Sequence, residues 1–192
     1  MTLSGGGLLV NRDRFRPGRS MMLLPATAAL VISLSACGAD EQKRDYAVPG
    51  KLCGVTVASG DLTPFLPAGK DLEVRERETS GVRTCQVIVD KKLIVTMTQA
   101  WLIEGKNTAY FAYSRSLGTQ EHSAEGDRFR YSGNEAFGKT NGCVDTRYGR
   151  ELYTAVQAQG SEHKDADAMK RMITSYTREV EASAACEAGT AR

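Results

Sequence analysis

The five cysteines constrain the fold of this chain more than any other feature of its sequence. Cys37 directly follows an apolar segment near the N-terminus, and four more are spread over the rest of the chain: Cys53, Cys85, Cys143 and Cys186. None of them are spaced as C-x-x-C, which argues against a zinc site or a redox motif. An even number of separated cysteines instead predicts two disulfides. Three connectivities are open, and we favour Cys53–Cys85 with Cys143–Cys186 because each pairing joins neighbours along the chain.

The first 36 residues have the pattern of a signal peptide. Residues 11–19 contain four arginines and one aspartate, and residues 21–32 form an apolar stretch without a charge. That stretch is shorter than the roughly 18 residues of a membrane-spanning helix, and it has the length of a signal-peptide core. Met21 and Met22 are alternative starts, so it is open whether residues 1–20 are translated.

The apolar stretch ends in Leu34-Ser35-Ala36-Cys37, which resembles the lipobox of bacterial lipoproteins. The resemblance implies cleavage between Ala36 and Cys37 and a diacylglycerol on the Cys37 thiol. A protein so modified is held at the extracytoplasmic face of the cell membrane, because the buried acyl methylenes contribute about 0.8 kcal/mol each. A plain secretory signal with a chance cysteine, or a short buried helix, is the alternative.

Cleavage at this point changes the charge of the protein. Residues 1–36 carry four basic residues and one acidic residue, so their removal changes the formal net charge from +2 to −1. The mature chain is nearly neutral and gives no electrostatic reason to expect nucleic-acid binding.

The remaining chain divides into a tether, one domain and a tail. We interpret 1–36 as the cleaved signal peptide and 37–50, which is polar and ends in Pro-Gly, as the lipidated cysteine with its tether. Residues 51–187 are long enough for a single core. Residues 188–192 form a short tail.

Strand patterns dominate the first part of this domain. Residues 72–78 alternate apolar and charged side chains and predict an exposed edge strand. Residues 84–90 and 93–101 are rich in β-branched side chains around Asp90-Lys91-Lys92 and predict a hairpin. Residues 151–159 predict another strand, 107–117 a short helix or a strand, and 118–133 a polar loop.

Residues 163–186 predict a helix. Asp165 and Asp167 lie at its start, where carboxylates accept backbone N–H bonds. A single apolar stripe follows, formed by Met169, Met172, Ile173, Tyr176 and Val180. The expected fold is therefore α+β: an antiparallel sheet with a C-terminal helix packed on one face, preceded by a lipoprotein signal peptide.

Two further patterns are weaker. Residues 85–100 and 143–158 each run from a cysteine through a hairpin to Gln-Ala, which suggests two hairpins in equivalent places or a chance similarity. Four aromatic residues, Trp101, Tyr110, Phe111 and Tyr113, lie within thirteen positions. Core packing is the favoured reading for them, and a ligand groove is the alternative.

Together these features resemble a family. The lipobox, the tether, Leu52-Cys53-Gly54, Leu66-Pro67-Ala68-Gly69 and Thr84-Cys85-Gln86-Val87 are similar to the uncharacterised small lipoproteins of actinobacteria. The resemblance implies a secreted, lipid-anchored domain with disulfides. It supplies no catalytic residues.

No motif supports a catalytic, cofactor or metal site. Residues 133–140 match the phosphate-binding pattern G-x-x-x-x-G-K-[ST], but a charged segment precedes them and Asn141-Gly142 follows where a helix is required. A glycine-rich turn is the better interpretation. His122 and His163 lie in polar surroundings, and no nucleophile elbow or zinc-protease motif is present.

The sequence therefore predicts a non-catalytic protein of the cell envelope. Its expected partners are the membrane, through the lipid on Cys37, and an envelope protein or a small ligand. A carrier with a pocket between helix and sheet and a secreted hydrolase of unrecognised type are the alternatives. Ligand, partner and oligomeric state are open.

Overall fold

The computed structural model describes residues 44–162 and 164–190. The chain divides into residues 1–38 and 39–192, and every described residue belongs to the second unit. The signal peptide, Ala36 and Cys37 lie outside the described residues.

A seven-stranded antiparallel sheet is the centre of the fold. Two short strands, β1 (Lys51–Leu52) and β2 (Val55–Thr56), precede it in the chain and pair only with each other. The seven strands of the large sheet are β3 (Leu72–Thr79), β4 (Val82–Val89), β5 (Lys92–Ile103), β6 (His122–Ala124), β7 (Phe129–Tyr131), β8 (Glu135–Asp145) and β9 (Arg150–Gln157). They lie in the order β3-β4-β5-β9-β8-β7-β6. The α-helices are α1 (Ser59–Leu62), α2 (Thr108–Arg115), α3 (Ala166–Glu181) and α4 (Ala184–Thr190). The predicted α+β class, with a C-terminal helix on the sheet, is confirmed.

The sheet buries side chains on both faces. Ala155 and Val156 are consecutive residues of β9, and consecutive side chains of a strand point to opposite faces. Val156 belongs to the large core under α3, whereas Ala155 belongs to a smaller cluster under α2. Two helices thus cover the two faces of the same central strands.

The hairpin between β4 and β5 forms as the sequence predicts. Asp90 and Lys91 form its turn and have φ angles of 47° and 67°. Positive φ at both central residues is typical of type I′ turns, whose twist matches that of the strands they join. β3 is the exposed edge strand that its alternation predicts.

Helix α3 begins and packs as its sequence predicts. The Asp165 side chain caps it by accepting a hydrogen bond from the Ala168 N–H at 2.9 Å. All five residues of the predicted stripe are at most 1% exposed. Gly138 of β8 lies directly beneath the helix, and a Cβ there would come within 2.8 Å of Thr177 Oγ1.

The predicted helix over 163–186 is wrong in one respect, because it is two helices. Ser183 interrupts it: the Ser183 hydroxyl donates to Val180 O at 2.7 Å and accepts from Ala185 N at 3.2 Å. A serine that bonds backbone groups on both sides ends one helix and caps the next. The second helix, α4, extends to Thr190, so the predicted tail at 188–192 begins as helix.

Two disulfides hold outlying segments to the sheet. Cys53–Cys85 joins the turn between β1 and β2 to β4, and Cys143–Cys186 joins β8 to α4. Both favoured pairings are confirmed. They close loops of 32 and 43 residues, for which chain entropy gives a stabilisation of roughly 3–4 kcal/mol each.

Two other segments differ from their sequence predictions. The predicted loop over 118–133 contains the strands β6 and β7. Residues 44–50, assigned to the tether, lie against the domain: the Arg44 guanidinium donates to Leu66 O at 2.8 Å, and Tyr46 packs on the core. The packed part of the chain therefore extends to Arg44.

The two cysteine-bearing hairpins meet at the centre of the sheet, where β5 pairs with β9. Their closing glutamines are not equivalent, however. Gln99 donates to the Tyr176 hydroxyl of α3, whereas Gln157 donates to Arg115 O of α2, on the opposite face. The hairpins occupy related places, and the Gln-Ala match does not extend to the direction of the side chains.

Candidate functional site

Helix α2 is held on the sheet by its inner side chains. Phe111 packs on Phe137 and Tyr153, with ring centroids 5.7 and 5.3 Å apart. The Asn107 side chain caps the helix by accepting from Tyr110 N at 2.8 Å, and the Thr108 hydroxyl donates to Arg128 O at 2.9 Å. The short helix is therefore fixed at its start and along its inner face.

The outer side of α2 carries exposed apolar side chains. Tyr110 is 50% exposed, Tyr113 91% and Leu117, just beyond the helix, 61%. The spacing of three residues places Tyr110 and Tyr113 on the same side of the helix, and Leu117 follows in the non-helical segment beyond it. Grouped exposed apolar residues of this kind mark interaction surfaces more often than isolated ones do.

An open groove lies beside these side chains. It is lined by Ala109 and Tyr113 of α2, by residues 116–120 and by Arg130, and its volume is about 500 Å³. We call it the α2 groove. Its lining thus combines an aromatic side chain of α2, the non-helical segment after α2 and the side chain of Arg130.

A buried carboxylate holds the wall formed by residues 116–120. Glu135 is 1% exposed. It accepts hydrogen bonds from Ser116 Oγ and Gln120 Nε2, each at 2.6 Å, and from the backbone N–H groups of Leu117 and Gly118 at 2.9 and 3.2 Å. A buried carboxylate is tolerated when donors satisfy its oxygens. Because most of its donors belong to this segment, Glu135 fixes the shape of the groove.

Arg130 is the charged side chain that lines the groove. Its Nη2 lies 3.4 Å from Asp127 Oδ1, a long contact to a carboxylate that is 60% exposed. Its Nε is buried and has no hydrogen-bond partner among the described residues. A buried donor without a partner is costly. The Arg130 side chain is 32% exposed, so the accessible part of its guanidinium, and not the buried Nε, can meet an acceptor in the groove.

The predicted aromatic cluster divides between two roles. Phe111 lies in the core, and Trp101 packs against the core beneath α3. Tyr110 and Tyr113 face outward, and Tyr113 lines the groove. Both interpretations of the cluster therefore apply, each to different members.

A smaller cavity lies between the sheet and α4. It is lined in part by Arg83, Gln99, Trp101 and Ala184, and its volume is about 150 Å³. Binding pockets for small ligands usually measure about 300–1,000 Å³. The place where the sequence suggested a carrier pocket is thus mostly filled by the stripe of α3.

The segment that matches the phosphate-binding pattern is mainly strand. Residues 135–140 belong to β8. Lys139 Nζ lies 2.7 Å from Glu151 Oε1, and the Thr140 hydroxyl donates to Leu152 O at 2.7 Å. The two side chains that would contact a nucleotide, Lys139 and Thr140, are thus bonded to other groups of the protein. The glycine-rich turn that the sequence favoured here is wrong, because most of the segment is a strand.

Neither histidine has an observed catalytic arrangement. His122 is exposed, stacks on Tyr131 at 5.3 Å and makes no hydrogen bond to any described carboxylate. His163 lies outside the described residues. Within the described ranges, no group of three His, Cys, Asp or Glu side chains is placed to hold a metal ion.

Sequence reasoning missed the centre of this site. Glu135 occurs in the sequence only as an internal position of the phosphate-binding pattern, and its donors come from segments 15 to 22 residues away. Arg130 was part of a predicted loop. The aromatic cluster was the one sequence signal that pointed here.

Comparison of this chain with family models, with curated proteins and with solved structures finds no match. In the part of the chain that the structure describes, no helix is long and apolar enough to cross a membrane. The function of the α2 groove is therefore argued from its own geometry.

Proposed function

We propose that this protein is a lipid-anchored extracytoplasmic protein with a non-catalytic interaction role in the cell envelope. The N-terminal pattern of basic segment, apolar stretch and Leu34–Cys37 supports the anchor, as does the resemblance to small actinobacterial lipoproteins. The two disulfides are compatible with an oxidising compartment outside the cytoplasm.

The binding surface in this proposal is the α2 groove, and its occupant is a segment of another envelope protein. The observation that carries it is the 91% exposure of Tyr113 beside Arg130. Tyrosine and arginine are enriched among the residues that dominate binding energy at protein interfaces. A partner segment would place an apolar side chain against Tyr113 and Leu117 and offer an oxygen to the accessible part of the Arg130 guanidinium.

The two alternatives have less support. A carrier encloses most of its ligand, whereas the α2 groove is open and the cavity beside α4 measures only about 150 Å³. A hydrolase needs a base positioned by a third group, and His122 stacks on a tyrosine instead.

Photo-crosslinking in the host tests the groove. A benzophenone amino acid at position 113 is expected to give a defined protein adduct, and Arg130→Gln is expected to reduce its yield several-fold. The matched control is the same probe at Tyr148, which is 57% exposed in the turn between β8 and β9. Equal adducts at both positions, or none at 113, would contradict the proposal, and an adduct of small-molecule mass would favour the carrier.

The mass of the protein isolated from host membranes tests the anchor separately. We expect a chain that begins at Cys37, carries diacylglycerol and retains both disulfides in non-reducing peptide maps. A chain that retains Met1 and has free thiols would contradict the localisation and leave the groove to be tested in the cytoplasm.

A further inference from the structure

The edge strand β3 is an exposed surface that the proposed function does not use. It is the first strand of the seven-stranded sheet, and all but one of its eight residues are exposed. β4 pairs with it on one side only. Alternate N–H and C=O groups on the other side of such a strand are directed outward and can accept another strand.

The side chains of β3 alternate in direction, and each face of the strand carries its own pattern of charge. Glu73, Arg75 and Arg77 lie on one face of the sheet, and Leu72, Val74 and Glu76 lie on the other. Charges on an edge strand normally discourage pairing with arbitrary strands. A strand that places opposite charges beside those of β3 could nevertheless pair with it.

We propose that a second copy of this chain pairs with β3 in an antiparallel arrangement centred on Val74. In this register Val74 lies opposite Val74 of the second copy, and each Glu73 lies opposite an Arg75. Arg77, which makes no ion pair with any described residue, lies opposite Asp71 just before the strand. Direct cross-strand pairs share a face, so these opposite charges meet side by side.

The charges select this register over its neighbours. Facing residues must lie on the same face, so the register can shift only in steps of two. One step places Arg75 opposite Arg75 and the opposite step places Glu73 opposite Glu73. An apolar residue faces Glu76 both in the proposed register, where it is Leu72, and after the first step, where it is Val74, so the difference lies in the charged pairs. Each of the two shifted registers puts like charges together on the two-fold axis, which is destabilising.

The ion pair that Arg75 forms within its own chain does not prevent it from pairing with a second copy. Arg75 Nε bonds Glu73 Oε1 of the same chain at 2.7 Å, but both side chains are at least half exposed. An exposed ion pair contributes little to stability, so rotating these side chains toward a second copy loses little. A single strand pair buries a modest area, and the dimer is therefore weak in solution and favoured where copies are concentrated on a surface.

Cysteine crosslinking in host membranes tests the register with the full chain. Facing Cα atoms in an antiparallel pair are about 4.5–5.5 Å apart, within reach of a disulfide. Val74→Cys is therefore expected to form dimers under mild oxidation, at least tenfold more than Glu76→Cys. In the proposed register two copies of residue 76 are about 14 Å apart along the strand. The unsubstituted chain controls for Cys37, and peptide mapping confirms that the two native disulfides are intact.

Charge exchange tests the recognition itself. In the Val74→Cys background, Arg75→Glu is expected to reduce the dimer several-fold, and Glu73→Arg with Arg75→Glu is expected to restore it. Arg171→Glu, on the exposed side of α3, is the matched charge control and should have no effect. No dimer at position 74 above the Glu76→Cys level, or no recovery in the double exchange, would overturn the proposal. Neither result bears on the α2 groove, which involves no residue of β3.

Discussion

Single polar side chains stabilise this protein through hydrogen bonds to partners both near and far in the sequence. Glu135 is the clearest case, because a buried carboxylate bonded by hydroxyl, amide and backbone donors fixes a loop that has no other regular structure. Asp145 is another: the bond from the Arg150 guanidinium, at 2.7 Å, is the main cause that lowers the pKa of its carboxyl. Both side chains contribute stability that substitutions can measure.

Glu135→Gln is expected to destabilise the protein by about 1–3 kcal/mol, because the new amide N–H₂ would face donors where it must accept. Urea unfolding measures the loss. Glu121→Gln, at an exposed position, is the control and should change the free energy of unfolding by less than about 0.5 kcal/mol. An unchanged urea midpoint for Glu135→Gln would mean that the carboxylate does not hold the loop.

The Asp145 carboxyl predicts a pH dependence of stability. Its folded-state pKa lies below the ordinary value of 3.8. The stability it contributes is therefore present above that value and is lost as pH falls through the folded pKa. The free energy of unfolding of Asp145→Asn should fall less than that of the original chain between about pH 5 and pH 2. Parallel curves for the two proteins would refute this.

At the scale of elements, close packing of α3 on the sheet sets the positions of everything else. The helix lies directly on Gly138, and the hydroxyls of Thr154 and Thr177 bond each other at 2.7 Å beside it. A short helix, α2, covers the opposite face of the same strands through Phe111. The groove lies between α2, the segment that follows it and Arg130 of β7.

Gly138→Ala is expected to cost about 1–3 kcal/mol, because its methyl group would come within 2.9 Å of the Thr154 hydroxyl and the Phe129 ring. Thermal and urea unfolding measure the effect. Gly50→Ala is a suitable comparison, since a Cβ there meets nothing within 4 Å. If both variants were equally stable, the helix would have room to move away from the sheet.

For the whole domain, the disulfides join segments that the sheet alone does not hold. Cys143–Cys186 is the covalent connection of α4 to β8, whereas α3 is held by its own buried stripe. The two faces of the sheet, the edge strand β3 and the α2 groove then present separate surfaces for binding.

Removing this disulfide, by Cys143→Ser with Cys186→Ser, should lower the free energy of unfolding by about 2–4 kcal/mol. Amide exchange should become faster in α4 and remain slow in α3, because local opening follows local packing. The other pair, Cys53→Ser with Cys85→Ser, should leave exchange in α4 unchanged. Faster exchange throughout α3 in the first variant would show that the two helices unfold as one unit.

Local signals in the sequence predicted the β4–β5 hairpin around Asp90-Lys91, the stripe and cap of α3, the edge position of β3 and the favoured disulfides. These follow from periodicity, turn chemistry and chain proximity, which act within a few residues or, for cysteines, through a short list of pairings. Three other features depend on the folded chain: α2 lies opposite α3, Ser183 ends α3, and Glu135 holds residues 116–120. Each of these depends on donors, acceptors and apolar surfaces brought together from distant segments, and no local pattern in the chain encodes which of them will meet.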